Sequence, residues 1–383
     1  MSIQLFPDAS EEQRMMAGAA IKIMEARCPL PAVREQAEQQ AGPDTSELWR
    51  ALGGVGCFGL LASEEQGGGS LSGNGLADAA IIAAERGARL QPGPYVGSLV
   101  AAGTLSRAAT TPLLADVLRG LLSGDAMVAW APSGLLGGPG VTVRDTGNGV
   151  VLSGIVHGVQ DAGDCDWILL STGAGHFLLP RPADGLTLEK ADGLDITRRF
   201  FTLGLNDVRV PAHAMVGMGA EGPELAGWQV AVAAVLSAAE SVGAMDANFA
   251  LALEYSKTRI AFGRPIGSFQ GLKHLLARTS LALEMSKAVV AGAAEALGSP
   301  RAPCGGAADG LVMASIARAF VSENAVELTH ACFQVFGGIG FTWEHDQHLF
   351  KRRLASEAYL FGAPSWHRRR IWEMAAHAEV ASA

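Results

Sequence analysis

Helical and β textures occupy three separate blocks of this chain and never alternate. Across residues 10–126, Ala, Leu, Ile and Met recur at three- and four-residue spacing, the period of a helix with a buried face. Residues 128–210 carry short β-rich pieces instead, at 141–143, 149–152, 167–170, 176–179, 200–203 and 208–210. Gly, Asp and Pro part them at intervals suited to antiparallel strands. From Trp228 onward the helical period returns, with breaks at Gly263-Arg-Pro265, at 298–303 and at Gly337-Gly338. A doubly wound sheet needs strands and helices in alternation, so this order argues against one. It predicts an α+β fold, mostly α, with a helical unit at 1–127, a β unit at 128–222 and a helical bundle at 223–383. Ser10-Glu-Glu-Gln13 reads as a capping box that opens the first helix. Residues 67–75, rich in Gly and Ser, read as a loop, and Gln91-Pro-Gly-Pro94 as a helix stop.

Composition bounds the partners. Of 383 residues, 49% are hydrophobic and 17% charged, more apolar than an average soluble chain, which implies a large core or a subunit interface. A net charge of -9 argues against nucleic acid or an anionic membrane surface as the main partner. Cys28, Cys57, Cys165, Cys304 and Cys332 are scattered and form no C-x-x-C pair, as expected of reduced thiols. The N-terminus lacks the basic and apolar regions of a signal peptide. The apolar run 228–239 is followed by Glu240 and Asp246, which argues against a membrane span. A cytoplasmic, soluble protein is the expectation.

Four motifs need weighing. Gly54-Val-Gly56-Cys-Phe-Gly59 fits the dinucleotide expression G-x-G-x-x-G, but residues 48–52 ahead of it read as helix, where that fingerprint needs a strand. Glu344, His345 and His348 lie close together, yet no distant Cys or His segment completes a metal set, and the segment reads as a polar helix start. Lys351-Arg-Arg353 and His367-Arg-Arg-Arg370 read as solvated helix faces ahead of phosphate contacts. Arg259 and Phe262, three residues apart, would share one face at a helix end. A cation beside an aromatic plane suits a flat anionic ligand such as a flavin dinucleotide. The same residues also read as an ordinary helix C-terminus broken by Gly-Arg-Pro. No G-x-S-x-G elbow is present to expose a nucleophile.

Arg259-Ile-Ala-Phe262-Gly263-Arg264-Pro265, running on to Gln270 and His274, and Cys332-Phe-Gln334-Val-Phe336-Gly337-Gly338, running on to Glu344, together resemble the C-terminal signatures of the acyl-CoA dehydrogenase family. Leu48-Trp49-Arg50, the stretch 59–68, Gln91-Pro-Gly-Pro-Tyr95 and Val208-Arg-Val-Pro211 match that family's habits as well, while 130–190 matches weakly. The resemblance implies a helical N-terminal domain, a middle β-barrel domain, a C-terminal four-helix bundle, and assembly into dimers or tetramers. It implies FAD as cofactor, an acyl-CoA substrate and electron-transfer flavoprotein as electron acceptor. Arg259 would contact the FAD pyrophosphate and Phe262 the adenine half. Gln334, Gly337 and Gly338 would approach the FAD of the neighbouring subunit, and Gln270 would help shape the dimer contact. Gly158 and Gln160 stand where the family has an aromatic and a threonine facing the flavin ring. Only Trp130-Ala-Pro-Ser133-Gly134 represents the upstream flavin loop.

The family removes the substrate α-proton with a carboxylate at one of two positions. Those positions are Phe361, followed by Gly362, and Ala233 here, and neither side chain can take a proton. Glu357 and Glu240 are the nearest acids along each helix, and both read better as ordinary solvated or capped carboxylates. The resemblance therefore leaves several readings. One is a non-catalytic subunit of a heteromeric acyl-CoA dehydrogenase whose partner holds the base, as in paired bacterial enzymes for bulky CoA thioesters, including steroid side chains. Another is a self-sufficient dehydrogenase with a displaced base. A third is a flavin oxidase or monooxygenase on the same fold.

Overall fold

A computed structural model describes residues 4–39, 45–108, 111–219, 221–298 and 307–382. Six helices come first: α1 (Glu11–Arg27), α2 (Leu30–Gln39), α3 (Ser46–Gly54), α4 (Gly75–Ala88), α5 (Tyr95–Ala108) and α6 (Pro112–Ser123). The capping box that opens α1 is formed: Gln13 N–H donates to Ser10 Oγ, and Ser10 N–H donates back to Gln13 Oε1. Gly54 closes helix α3, so no strand feeds the G-x-G-x-x-G segment. Cys28, Cys57, Cys165 and Cys332 are buried free thiols, while Cys304 lies outside the described residues. Burial pushes the Cys57 and Cys332 thiols up to about 12, so both pack as small apolar groups.

Eight strands follow: β1 (Val128–Pro132), β2 (Thr142–Asp145), β3 (Gly149–Gln160), β4 (Trp167–Thr172), β5 (Gly175–Pro180), β6 (Leu186–Ala191), β7 (Phe200–Pro211) and β8 (Met215–Val216). The expected barrel is not closed. One sheet has the order β1-β4-β5-β8 and the other β2-β3-β7-β6, and their inner faces share one apolar core. Pairing β1 with β4 in parallel leaves β1 at an edge, and the register shifts after Leu152 and Val156 bend β3 around the core without closing it. The glycines at those shifts, Gly154 (φ +145°) and Gly158 (φ +71°), look like turn punctuation in sequence. They sit instead inside one 12-residue strand. Likewise 200–203 and 208–210 belong to the single strand β7.

The remaining elements are α7 (Glu221–Thr258), the short pair β9 (Ile260–Ala261) and β10 (Arg264–Pro265), α8 (Gln270–Gly298), α9 (Ala307–Phe336), α10 (Gln347–Glu357) and α11 (Pro364–Ser382). Helices α7, α8, α9 and α11 form the bundle around α9, and α10 packs against α7 and α9. At 38 residues and a mean hydropathy of 1.5 over its most apolar stretch, α7 is long and apolar enough to cross a membrane, but 89% of that stretch is buried in the protein. Its companion is α4. A methyl group on Gly87 would come 1.9 Å from the Glu240 carbonyl, and one on Gly243 would come 1.9 Å from the Ala84 carbonyl. Reciprocal glycines thus let the two backbones touch and pin the N-terminal helices to the bundle.

Candidate active site

The three segments that the resemblance assigns to one site do meet. A cleft of about 370 Å³ lies between the loop after β1, the outward bend of β3 at 155–158, and the turn 359–363 that joins α10 to α11. Phe361 stands in its wall at φ +59°, its ring 5.5 Å from that of Trp130. Trp130 Nε1 donates to Ser171 Oγ at 3.0 Å, which fixes the indole. The turn is held from behind. His367 Nε2 donates to the Phe361 carbonyl at 3.1 Å, and Arg318 donates to the carbonyls of Leu360, at 2.7 Å, and of Glu357. Burial, and then the Arg318 charge, lower His367 to about 3, so the imidazole is neutral at physiological pH.

Gln160 turns away from the cleft, and its amide donates to the Gly93 carbonyl at 3.0 Å and to Asp161 at 3.1 Å. Gly158 leaves open space where a side chain would stand. The lining residues that can titrate are His157 and Tyr359. His157 Nδ1 lies 3.2 Å from Thr202 Oγ1.

Ala233 is buried in the aliphatic core of α7. Glu240 and Glu357 are not solvated: they are 2% and 1% exposed and share one arginine. Arg198 donates to Glu240 Oε2 at 2.8 Å and pairs with Glu357 Oε1 at 2.8 Å. Ser241 Oγ donates to Glu357 at 2.7 Å. Arg353, within a basic run expected to be solvated, is fully buried. It bonds to Asp195 at 2.7 Å and to the Leu90 carbonyl at 3.1 Å. Arg86, sandwiched between the rings of Trp49 (5.2 Å) and Tyr95 (5.0 Å), donates to the Pro92 carbonyl at 2.6 Å and approaches Glu240 at 3.9 Å.

Burial pushes the Glu357 carboxyl above its usual range against the pull of Arg198. Burial also opposes ionisation of Asp195, but Arg353 and Arg198 hold it below its usual range. The network ties α4 and the turn after it, the β6–β7 connection, α7, α9 and α10 together. Sequence reasoning missed it because each member looks like an ordinary charged residue on a helix or loop.

The FAD-assigned residues lie on the surface. Helix α7 ends at Thr258, so Arg259 and Phe262 do not share a helix face. They belong to a tight hairpin in which Phe262 is at the tip, at φ +50° and 94% exposed. The Gly-Arg-Pro segment starts this reversal earlier than helical spacing implies, because 260–261 pairs back on 264–265. Gln270 opens α8, and Gln334 lies in the last turn of α9; both are exposed, as are Gly337 and Gly338 just beyond. Tyr255 in the last turn of α7 packs on Phe336 in the last turn of α9 at 5.1 Å, so the hairpin and the glycines share one end of the bundle. Methyl groups on Gly337 or Gly338 would meet no atom within 4 Å. An exposed arginine with no acidic partner among the described residues, an exposed aromatic ring and open backbone fit an anionic dinucleotide. His345 packs on Phe336, His348 stacks on Trp343, and Asp346 pairs with Arg34 of α2, so this segment fastens the bundle to the N-terminal helices.

Comparison with known proteins agrees with this architecture. Residues 10–125 match the acyl-CoA dehydrogenase N-terminal domain and residues 220–376 the acyl-CoA dehydrogenase C-terminal domain. The chain is 32% identical over 368 residues to acyl-CoA dehydrogenase IpdE2 of Mycobacterium tuberculosis, covering 95% of this chain and 98% of that one. It is 30% identical over 363 residues to IpdE2 of Mycolicibacterium smegmatis, covering 94% and 98%. The fold is also that of the ChsE4-ChsE5 complex from Mycobacterium tuberculosis, with a TM-score of 0.82 at 24% identity over 98% of this chain and 99% of that one. A glutaryl-coenzyme A dehydrogenase bound to glutaryl-CoA gives a TM-score of 0.85 at 20% identity over 95% of both chains. The chain belongs to the acyl-CoA dehydrogenase family, FAD-dependent flavoprotein oxidoreductases that act on the CH–CH bond of acyl-CoA thioesters.

Proposed function

We propose that this chain is the non-catalytic subunit of a heteromeric acyl-CoA dehydrogenase for a bulky acyl-CoA thioester, with a steroid side chain as one candidate, and that its partner supplies the proton-abstracting carboxylate. The observation that carries the reading is Phe361, whose ring packs on Trp130 in the cleft wall at the position where a family base would stand. Ala233 offers no second proton acceptor, and the nearby acids Glu240 and Glu357 are already bound by Arg198. A base must reach its proton within hydrogen-bond distance, and a buried carboxylate ion-paired elsewhere does not.

FAD, when bound, accepts the hydride from the substrate β-carbon. On this reading Arg259 and Phe262 grip its dinucleotide half, and Gln334, Gly337 and Gly338 approach the flavin of the neighbouring subunit. Gln270 helps shape the contact between subunits. The relatives support a heteromer, since one solved neighbour is the ChsE4-ChsE5 complex. Electron-transfer flavoprotein is the proposed acceptor.

Expression of the chain alone and with a candidate partner subunit tests the proposal. The lone chain is expected to hold little FAD and to oxidise no acyl-CoA, and co-expression is expected to supply both. Full flavin content and acyl-CoA oxidation by the lone chain would favour a self-sufficient dehydrogenase with a displaced base. Reduced-flavin reaction with oxygen, without a carboxylate requirement, would favour an oxidase or monooxygenase.

A further inference from the structure

A second cleft, of about 520 Å³, opens on the N-terminal helices between the glycine-rich loop, the end of α5, the first turns of α7 and the end of α8. Its volume lies within the range of small-ligand sites. Arg107, in the last turn of α5, places its guanidinium carbon over the Trp228 ring of α7, 3.8 Å from the ring centroid. The indole reaches this position because residue 103 is glycine: a methyl group there would stand 2.4 Å from the ring. Two helices thus hold one guanidinium in a fixed orientation. Arg107 uses one nitrogen on the Gly103 carbonyl at 3.1 Å and has no carboxylate in ion-pair range among the described residues. Capping its own helix satisfies that one donor, and the remaining guanidinium donors are left for the cleft. Leu61 and Leu297, both partly buried, supply the apolar part of the lining, with Leu60, Leu76 and Val232 buried behind it, and Ser63, Ser70 and Ser106 add hydroxyls. Glu64 on the rim is the one acid in the lining.

From this arrangement we propose that the cleft binds an amphipathic monoanion, a medium-chain carboxylate, with the anion on Arg107 and the chain against Leu61 and Leu297. An arginine held over an aromatic ring recognises a planar carboxylate in two-pronged fashion, and Leu61 and Leu297 give the alkyl chain an apolar contact. This site is separate from the cleft at Phe361 and does not depend on the subunit role proposed above.

Calorimetric titration of the purified protein, in its native assembly, with octanoate and with inorganic phosphate tests it. Octanoate is expected to bind at one site per chain, and more tightly than phosphate, which cannot use the apolar wall. Arg107→Gln is expected to weaken octanoate about tenfold, Leu61→Glu to abolish the heat, and Glu64→Gln to tighten binding. Circular dichroism melts of the three variants check that each is folded. Absence of saturable octanoate binding overturns the proposal. So does binding that Arg107→Gln leaves unchanged, since the octanoate would then sit elsewhere, including the cleft at Phe361.

Discussion

Two groups of arginines divide this molecule. Arg259 stands on an exposed hairpin with no acidic partner among the described residues, while Arg198 and Arg353 are almost wholly buried and tied to Glu240, Glu357 and Asp195. The exposed cation costs the fold nothing and is available to an anion brought from outside. The buried ones cannot be separated from their carboxylates without leaving a charge stranded in the interior. The contrast bears on the chemistry, because the two acids nearest the family's base positions fall in the buried group. Phe361 lies only four positions after Glu357, yet the acid faces inward to Arg198 and the phenyl ring lines the cleft. A carboxylate close to a site in sequence is not thereby part of it.

The largest effect is expected where the buried group is broken. Arg198→Met should leave Glu240 and Glu357 side by side without a shared cation and cost about 3–5 kcal/mol in urea denaturation. A loss below about 1 kcal/mol would show that the pair is solvated after all. Phe361→Ala should cost about 3 kcal/mol, because the ring is buried against Trp130 and a cavity would remain. Acyl-CoA oxidation by the lone variant should stay absent; a gain would mean that the ring had been blocking a base already in place.

The turn behind Phe361 predicts a pH dependence. With its folded pKa lowered to about 3, His367 binds a proton more readily in the unfolded chain, so stability is present above about pH 6.5 and falls as pH drops toward 3. Between pH 6.5 and 5 this group alone should remove about 1.5 kcal/mol. His367→Gln, which retains a donor for the Phe361 carbonyl, should flatten that slope in denaturation curves taken across the interval. An unchanged slope would assign the acid sensitivity to other buried groups, His176 among them. Arg259→Gln should have the smallest effect on the fold, within about 0.5 kcal/mol by thermal melting. It should nonetheless lower the FAD-to-protein ratio of the assembled enzyme. A change in melting with no change in flavin would reverse the roles given to the exposed and buried arginines.

Much of this was legible in sequence because it depends on short-range pattern. Helical period, the Ser10–Gln13 box and the β-rich middle follow from residues within a few positions of each other. Other features were misread for the same local reason. The β-rich piece 149–152 proves to be the start of a strand that runs to Gln160 through bulges at Gly154 and Gly158, and Arg259 with Phe262 resembles a helix face but forms a hairpin. Arg353 resembles a solvated charge but lies in the core.

The order of the three blocks and the family were determined by the sequence alone. Tertiary structure alone decided which charges are interior. Arg198 meets Glu240 from 42 residues away, and Arg353 meets Asp195 from 158, so no local period can announce either pair. Burying Arg198 and Arg353 is tolerable because carboxylates arrive from distant segments, and that arrival is a property of the packed chain.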